Sequence, residues 1–465
     1  MKQPNILLIN CDDLGYGDLA CFGSSVNKTP HIDRLAADGL KLDQFYMASP
    51  VCSASRAAMM TGCYPPRIGF GWKPVLHPSE AIGLSTKETT IAKQLKTVGY
   101  RTRIIGKWHC GDQPEFLPPR HGFDGYFGLP YSNDMGRQVN ADGKIPDNPP
   151  LPRPPLPLLR DEAVIQQQPD QRGITERYTD DALQFIEASA KAETPFFLYL
   201  AHMYVHVPLF VPKQFLSRSK NGAYGAAVEC IDWSTGVLVD YLKQKGLFKN
   251  TLIIFTSDNG SRARDEGGSN APLRGTKATT WEGGQRVPCI LHWPEGIPGG
   301  RTCNQITRSI DFLPTLSAVA GVQEEPAHPI DGVDLSAYLT DDDAPCVNDR
   351  MVYYFSREQL EAVRIGDWKL HFHKGDTPHY ALYNLKENID EDEDLAARHP
   401  EIVTQLEAFA EEVRTEMGDS LTGVKGRANR PVGRVSNPKP LTEYSKDHPY
   451  IVAAYDLPDM PTMAG

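Results

Sequence analysis

The sequence lacks the features that mark several protein classes. Only Met-Lys-Gln-Pro stands ahead of Asn5-Ile6-Leu7-Leu8-Ile9-Asn10, without the charged start, apolar core or cleavage site of a secretory signal. No run approaches the roughly 18 apolar residues that a membrane span requires. Positive charge is short as well, and a net charge of -11 argues against a nucleic-acid partner, which calls for a basic stripe. Histidines and cysteines do not fall into a zinc-binding spacing. The nine cysteines are an odd number, and Cys11 and Cys289 lie inside apolar runs, which suits reduced thiols better than a disulfide framework. A cytoplasmic location is the expectation for the chain as written, and a periplasmic or secreted one if a leader has been removed.

What is present is an ordinary globular composition, 40% hydrophobic and 23% charged over 465 residues, enough chain for two domains. Residues 5–11 are continuously apolar and end in Asp12-Asp13, the pattern of a buried parallel strand. Strand patterns recur at 101–106, 195–200, 251–256 and 287–292. Helical patterns lie between them at 32–37, from Ser53 onward, at 89–98, and at about 176–190 and 224–245. Such alternation predicts an α/β domain with a large, mainly parallel sheet flanked by helices. The proline-rich stretch 145–159 excludes regular helix and central strand, and is compatible with a site rim or a linker. Beyond 324–347 the texture changes to three strands (351–355, 362–372, 380–385) and a helix at about 395–417. That predicts a smaller C-terminal α+β domain with an antiparallel sheet, and a division into 1–345 and 346–465.

Ligands of open α/β sheets bind at the carboxyl ends of the strands. Four predicted strands end in polar clusters: Asp12-Asp13, Lys107 with His109, His202 with His206, and Asp258-Asn259. Three carboxylates and one amide suit a hard divalent cation such as calcium. Taken singly, Asp-Asn-Gly reads equally well as a turn, and Asp-Asp after a strand as a helix cap.

The run Pro50-Val51-Cys52-Ser53-Ala54-Ser55-Arg56, closed by Thr61-Gly62, joins these pieces. On its own it could be a buried cysteine opening an alanine-rich helix. With Asp12, Asp13, Asp258, Asn259, Gly106-Lys107-Trp108-His109 and Lys277 in order, the chain resembles the sulfatase family, in its arylsulfatase A-like branch and alkaline phosphatase-like superfamily. The resemblance implies that Cys52 is oxidised to formylglycine and that Asp12, Asp13, Cys52, Asp258 and Asn259 surround one calcium ion. It implies that Arg56, Lys107 and Lys277 supply positive charge to the sulfate, that His109 steadies the aldehyde hydrate and acts as base, and that His206, before Val207-Pro208, protonates the leaving group. His202 is read as structural. Ser132 and Asn133 fall on the substrate pocket, with Asn133 where the family has a histidine.

Ala54, where many members have proline, implies maturation by a radical S-adenosylmethionine enzyme. The expected reaction is release of sulfate from a sulfated sugar or oligosaccharide, acting from its end. The rivals are a phosphomonoester, phosphodiester or phosphonate hydrolase on the same scaffold, and a sulfated-glycan-binding protein whose Cys52 is never converted. Sugar, sulfate position and oligomer are not legible.

Overall fold

The apolar run Asn5–Cys11 becomes the spine of a ten-stranded sheet. In the computed structural model, which describes residues 3–137, 153–341, 344, 347–445 and 447–448, its strands follow one spatial order. From one edge they are Arg301–Cys303, Leu40–Leu42, Cys289–His292, Thr251–Ser257, Asn5–Cys11, Phe196–Ala201, Arg101–Gly106, Gly125–Gly128, Pro157–Arg160 and Ala163–Gln167. The five from Thr251–Ser257 to Gly125–Gly128 run parallel, so their carboxyl ends share one side of the molecule. Strand Cys289–His292 is antiparallel to both its neighbours.

Alternation along the spine divides the core into two layers. Leu7, Ile9 and Cys11 face helices Pro30–Asp38, Ile174–Lys191 and Gly222–Gln244. Ile6 and Leu8 face Cys52–Thr61, Ile91–Thr97 and Phe312–Ala320. Each fully buried aliphatic side chain contributes roughly 1.5–3 kcal/mol, so a charge in the middle of this spine would be excluded. Polar residues accumulate only where the spine ends.

The C-terminal region holds an antiparallel sheet of Arg350–Tyr354, Leu360–Ile365, Trp368–Lys374 and Thr377–Asn384, covered by helix Pro400–Met417. The sequence predicts a single strand over 362–372; the structure has two, folded back at Gly366-Asp367, where Gly366 takes φ +55°. The turn has a signal in the sequence that the single-strand reading passes over: Gly366-Asp367 is a turn pair, and the apolar phase shifts across it from Val363 and Ile365 to Trp368, Leu370 and Phe372. The proline-rich stretch departs from expectation in part. Pro157–Arg160 is a strand paired on both sides, with its proline at the first position, where a missing N–H is tolerated. Residues 145–152 of that stretch, the boundary at 345/346 and the tail from 449 lie outside the described residues.

Candidate active site at the strand ends

Strand Asn5–Cys11 delivers Asp12 and Asp13, and its parallel neighbour Thr251–Ser257 delivers Asp258 and Asn259 beside them. Strand Arg101–Gly106 ends in a glycine at φ +110°, and a Cβ there would lie 1.8 Å from the Ala201 carbonyl oxygen. Only glycine makes the turn that aims Lys107 at the carboxylates. Cys52 opens the fully buried helix Cys52–Thr61, one residue earlier than the sequence predicts. The helix's first N–H groups, and the positive end of its dipole, therefore point to the same place.

The polar groups meet at short range. Cys52 Sγ lies 3.4 Å from Asp12 Oδ1, and Lys107 Nζ lies 2.5 Å from Asp12 Oδ2 and 3.2 Å from Ser132 Oγ. Lys277 Nζ donates to Asp13 Oδ2 at 2.9 Å, and His206 Nε2 is 3.7 Å from the same oxygen. Arg56 clasps Asp258 through Nε and Nη2, both at 2.8 Å, and donates from Nη1 to the Lys107 carbonyl at 3.0 Å. A cavity of about 270 Å³ opens on Cys52, His109, Ser132, Asp134, His206 and Lys277.

Burial alone would raise the Asp12 carboxyl, but Lys107, His206, Arg56 and Lys277 outweigh it and hold Asp12 well below the usual range. At Asp258 burial wins over Arg56 and the pKa rises to about 6. Burial, then Lys277, push His206 down; burial, then Lys107, push His109 down further. His109 Nε2 lies 2.9 Å from the Leu76 carbonyl, which can only accept, so that nitrogen carries the proton and Nδ1 is a free base without a partner. Both Asp13 (φ +62°) and His109 (φ +61°) sit in the left-handed region, a strained backbone of the sort that clusters at functional sites.

Not every residue singled out in the sequence faces the cavity. Asn133 is buried, donates to Gln171 Oε1 and to the Pro208 carbonyl, and leaves the lining to Ser132 and Asp134. Arg56 and Lys107 have no exposed surface and reach the site through Asp258, Asp12 and Ser132. His202 is buried with neither ring nitrogen hydrogen-bonded, and burial drops it to about 3. Sequence reasoning missed Asp134, Arg153, Arg262 and Arg264, which line the same cavity from loops that carry no periodic signal.

Ligand atoms of Asp12, Asp13, Cys52 and His206 lie within 4.8 Å of one another. Beside them the amide oxygen of Asn259 is buried without a hydrogen-bond partner, while its nitrogen donates to Asp13 Oδ1 at 2.7 Å. An orphaned acceptor next to carboxylates is what a bound hard cation would satisfy. Three carboxylates (Asp12, Asp13, Asp258) face three cations (Arg56, Lys107, Lys277), so a divalent ion would give the site two net positive charges. That excess matches an anionic ester and an ionised nucleophile. Asp258, bound up by Arg56, stands outside the 4.8 Å group.

Fold and site together define a hydrolase of the alkaline phosphatase-like superfamily. The sulfatase family model matches residues 4–322, and the model described as N-sulphoglucosamine sulphohydrolase, C-terminal, matches 276–416. N-acetylgalactosamine-6-sulfatase of Canis lupus familiaris is 38% identical over 80% of this chain and 72% of its own. Arylsulfatase A of Homo sapiens is 39% identical over 80% and 75%. The crystal structure of Ps i-CgsB in complex with k-i-k-neocarrahexaose superposes with a TM-score of 0.77 at 30% identity, covering 89% of this chain and 93% of that one. The chain belongs to the sulfatase family, and it is a sulfuric ester hydrolase.

Proposed function

We propose that this enzyme releases sulfate from a sulfated sugar, acting at the end of an oligosaccharide, with Cys52 converted to formylglycine and one calcium ion at Asp12, Asp13, Asp258 and Asn259. The observation that carries the reading is the convergence of Cys52, His109, His206 and Lys277 on one cavity, with ligand atoms of Asp12 and Asp13 within 4.8 Å of those of Cys52 and His206. The kinship with N-acetylgalactosamine-6-sulfatase and with a structure in complex with k-i-k-neocarrahexaose supports a sugar. The absence of a disulfide among the eight described cysteines supports maturation in a reducing compartment by a radical S-adenosylmethionine enzyme.

Formylglycine would bring a hydrated aldehyde as nucleophile, and calcium would bring fixed positive charge near the sulfur. The remaining work belongs to the chain. Lys277 and Ser132 hold sulfate oxygens inside the cavity, and Lys107 fixes Ser132 and Asp12 from beneath. His206 keeps a proton on Nδ1 against the Val207 carbonyl, 2.5 Å away, and presents Nε2 to the leaving oxygen. A depressed pKa makes its protonated form a stronger acid, and donation to an alkoxide is typically worth about 100- to 10,000-fold. His109 Nδ1 accepts a proton at the Cys52 end. The test is the mass of the Cys52 peptide from protein made with the radical-type maturase, followed by rates on aryl sulfate and aryl phosphate. An aldehyde mass and a clear preference for sulfate are expected. Turnover by protein carrying unmodified cysteine, or preference for phosphate, would overturn the reading.

A further inference from the structure

We infer that the cavity takes a substrate with a second anionic group, recognised by Arg262 and Arg264 at its mouth; the inference rests on the sulfated-sugar reading above. Beyond the sulfate end, the cavity is lined by Arg153, Arg262 and Arg264. Among its lining residues Asp134 is the one carboxylate, and Arg153 is committed to it, donating to its backbone oxygen with the carboxylate 3.9 Å away. Lys277 is committed to Asp13. No described carboxylate lies within ion-pair distance of the Arg264 guanidinium, and Glu266 accepts instead from the Arg264 backbone N–H at 3.3 Å. The chain as a whole carries a net charge of -11, so positive charge gathered on one wall is a local arrangement rather than an average property.

The loop that carries these arginines is built to hold them still. Asn270 Oδ1 accepts from Ser261 N–H and its Nδ2 donates to the Ser261 and Gly275 carbonyls, at 2.8, 2.8 and 3.1 Å. Lys277 N–H donates to the Ser261 carbonyl at 3.0 Å, closing the same loop from its far end. Between the arginines Ala263 adopts φ +46°, its N–H held by Ser261 Oγ at 3.1 Å. A non-glycine residue in that region is strained, and here the strain sits between two side chains that line one wall. The cavity, about 270 Å³, has room for one sugar residue rather than a long chain. The second anion therefore belongs on the same or the adjoining sugar. Planar guanidinium forks fit a sulfate or a carboxylate equally, in bidentate fashion.

The experiment compares a monosulfated monosaccharide with its disulfated counterpart and with a sulfated uronic acid. It uses matured full-length enzyme and the variant Arg262→Gln/Arg264→Gln, and reads sulfate release. Calorimetric affinity for the same three sugars is measured on the unmatured chain. The parent should favour one dianionic sugar by roughly ten- to a hundredfold in kcat/KM, mainly through KM, and the variant should lose that preference. Preference for the disulfated sugar identifies sulfate as the second anion, and preference for the uronic acid identifies carboxylate. Sulfate release without preference, or equal loss on all three sugars, overturns this inference while the sulfatase reading stands. Preferential binding that depends on the arginines, without sulfate release from any sugar, keeps this inference and sinks the catalytic reading.

Discussion

Two of the clusters of buried charge among the described residues are built to opposite rules. At the junction with the C-terminal sheet, Glu282 accepts from Tyr46, Tyr353 and Lys369 at 2.5, 3.1 and 2.9 Å. Lys369 also donates to the Thr280 carbonyl at 2.9 Å and lies 3.0 Å from Glu391, which pairs with His371. Both oxygens of Glu282 and all the protons of Lys369 are thus accounted for, and only the far nitrogen of His371 lacks a partner. At the strand ends, by contrast, the Asn259 amide oxygen and His109 Nδ1 are unmatched beside a cavity, and two residues hold left-handed backbone. Burial and charge are common to both clusters. What separates them is that one is closed and the other keeps places for something to bind.

The comparison breaks first at Cys52. Cys52→Ala should lower turnover by about 10,000-fold or more while shifting the melting temperature by no more than about 3 °C; retained turnover would refute the nucleophile. The closed cluster should behave the other way. Lys369→Met removes the nearest of the three cations around buried Glu282, leaving Arg364 and Arg286 at 3.7 and 3.8 Å, and should cost roughly 3 kcal/mol, read by urea unfolding. The surviving folded fraction should keep its specific activity. A smaller effect is expected on metal removal. Chelation followed by calcium at about 100 times its dissociation constant should restore about 2.7 kcal/mol, and Asp13→Asn should abolish that recovery. An unchanged melting curve on chelation would mean that the open places are not a cation site.

The smallest effect concerns a buried carboxyl for which no cation lies within ion-pair distance among the described residues. Asp232 accepts from His31 and Ile32 N–H groups at 3.0 and 2.8 Å, yet burial raises it to about 7. Because the folded-state value is raised, the stability it brings is complete below the ordinary 3.8 and is lost as pH rises through about 7. Asp232→Asn should flatten the fall in melting temperature between about pH 4 and pH 7, by a few degrees. A slope identical to the parent's would show that Asp232 ionises at its ordinary value.

The parts that were legible in the sequence are those fixed by period and by abrupt change. The runs ending at Cys11, Ala201 and Ser257 are largely apolar because both faces of a parallel sheet are buried, and the polar residues that follow each run mark the site side. Order along the sheet was not legible, since Leu40–Leu42 is three residues long and enters between Cys289–His292 and Arg301–Cys303 from far away in the chain. The Gly366-Asp367 turn was legible in that pair and in the shift of apolar phase across it, although the run as a whole reads as one strand. Asn133 sits beside a pocket residue in sequence but turns inward to Gln171 and Pro208, a direction set by tertiary contacts. Arg262 and Arg264 belong to a loop, where no periodicity announces which way a side chain points.

The loop stapled by Asn270 starts just after Asp258 and Asn259 and ends at Lys277, so some twenty residues carry the proposed metal donors at one end and the proposed sulfate contact at the other. Ser261, Asn270 and Gly275 hold its frame, while positions 262–264 project from it. The segment therefore works as an interchangeable part. Its anchors hold the frame constant, and replacing a few residues between them offers a way to retune which sulfate ester enters without rebuilding the enzyme.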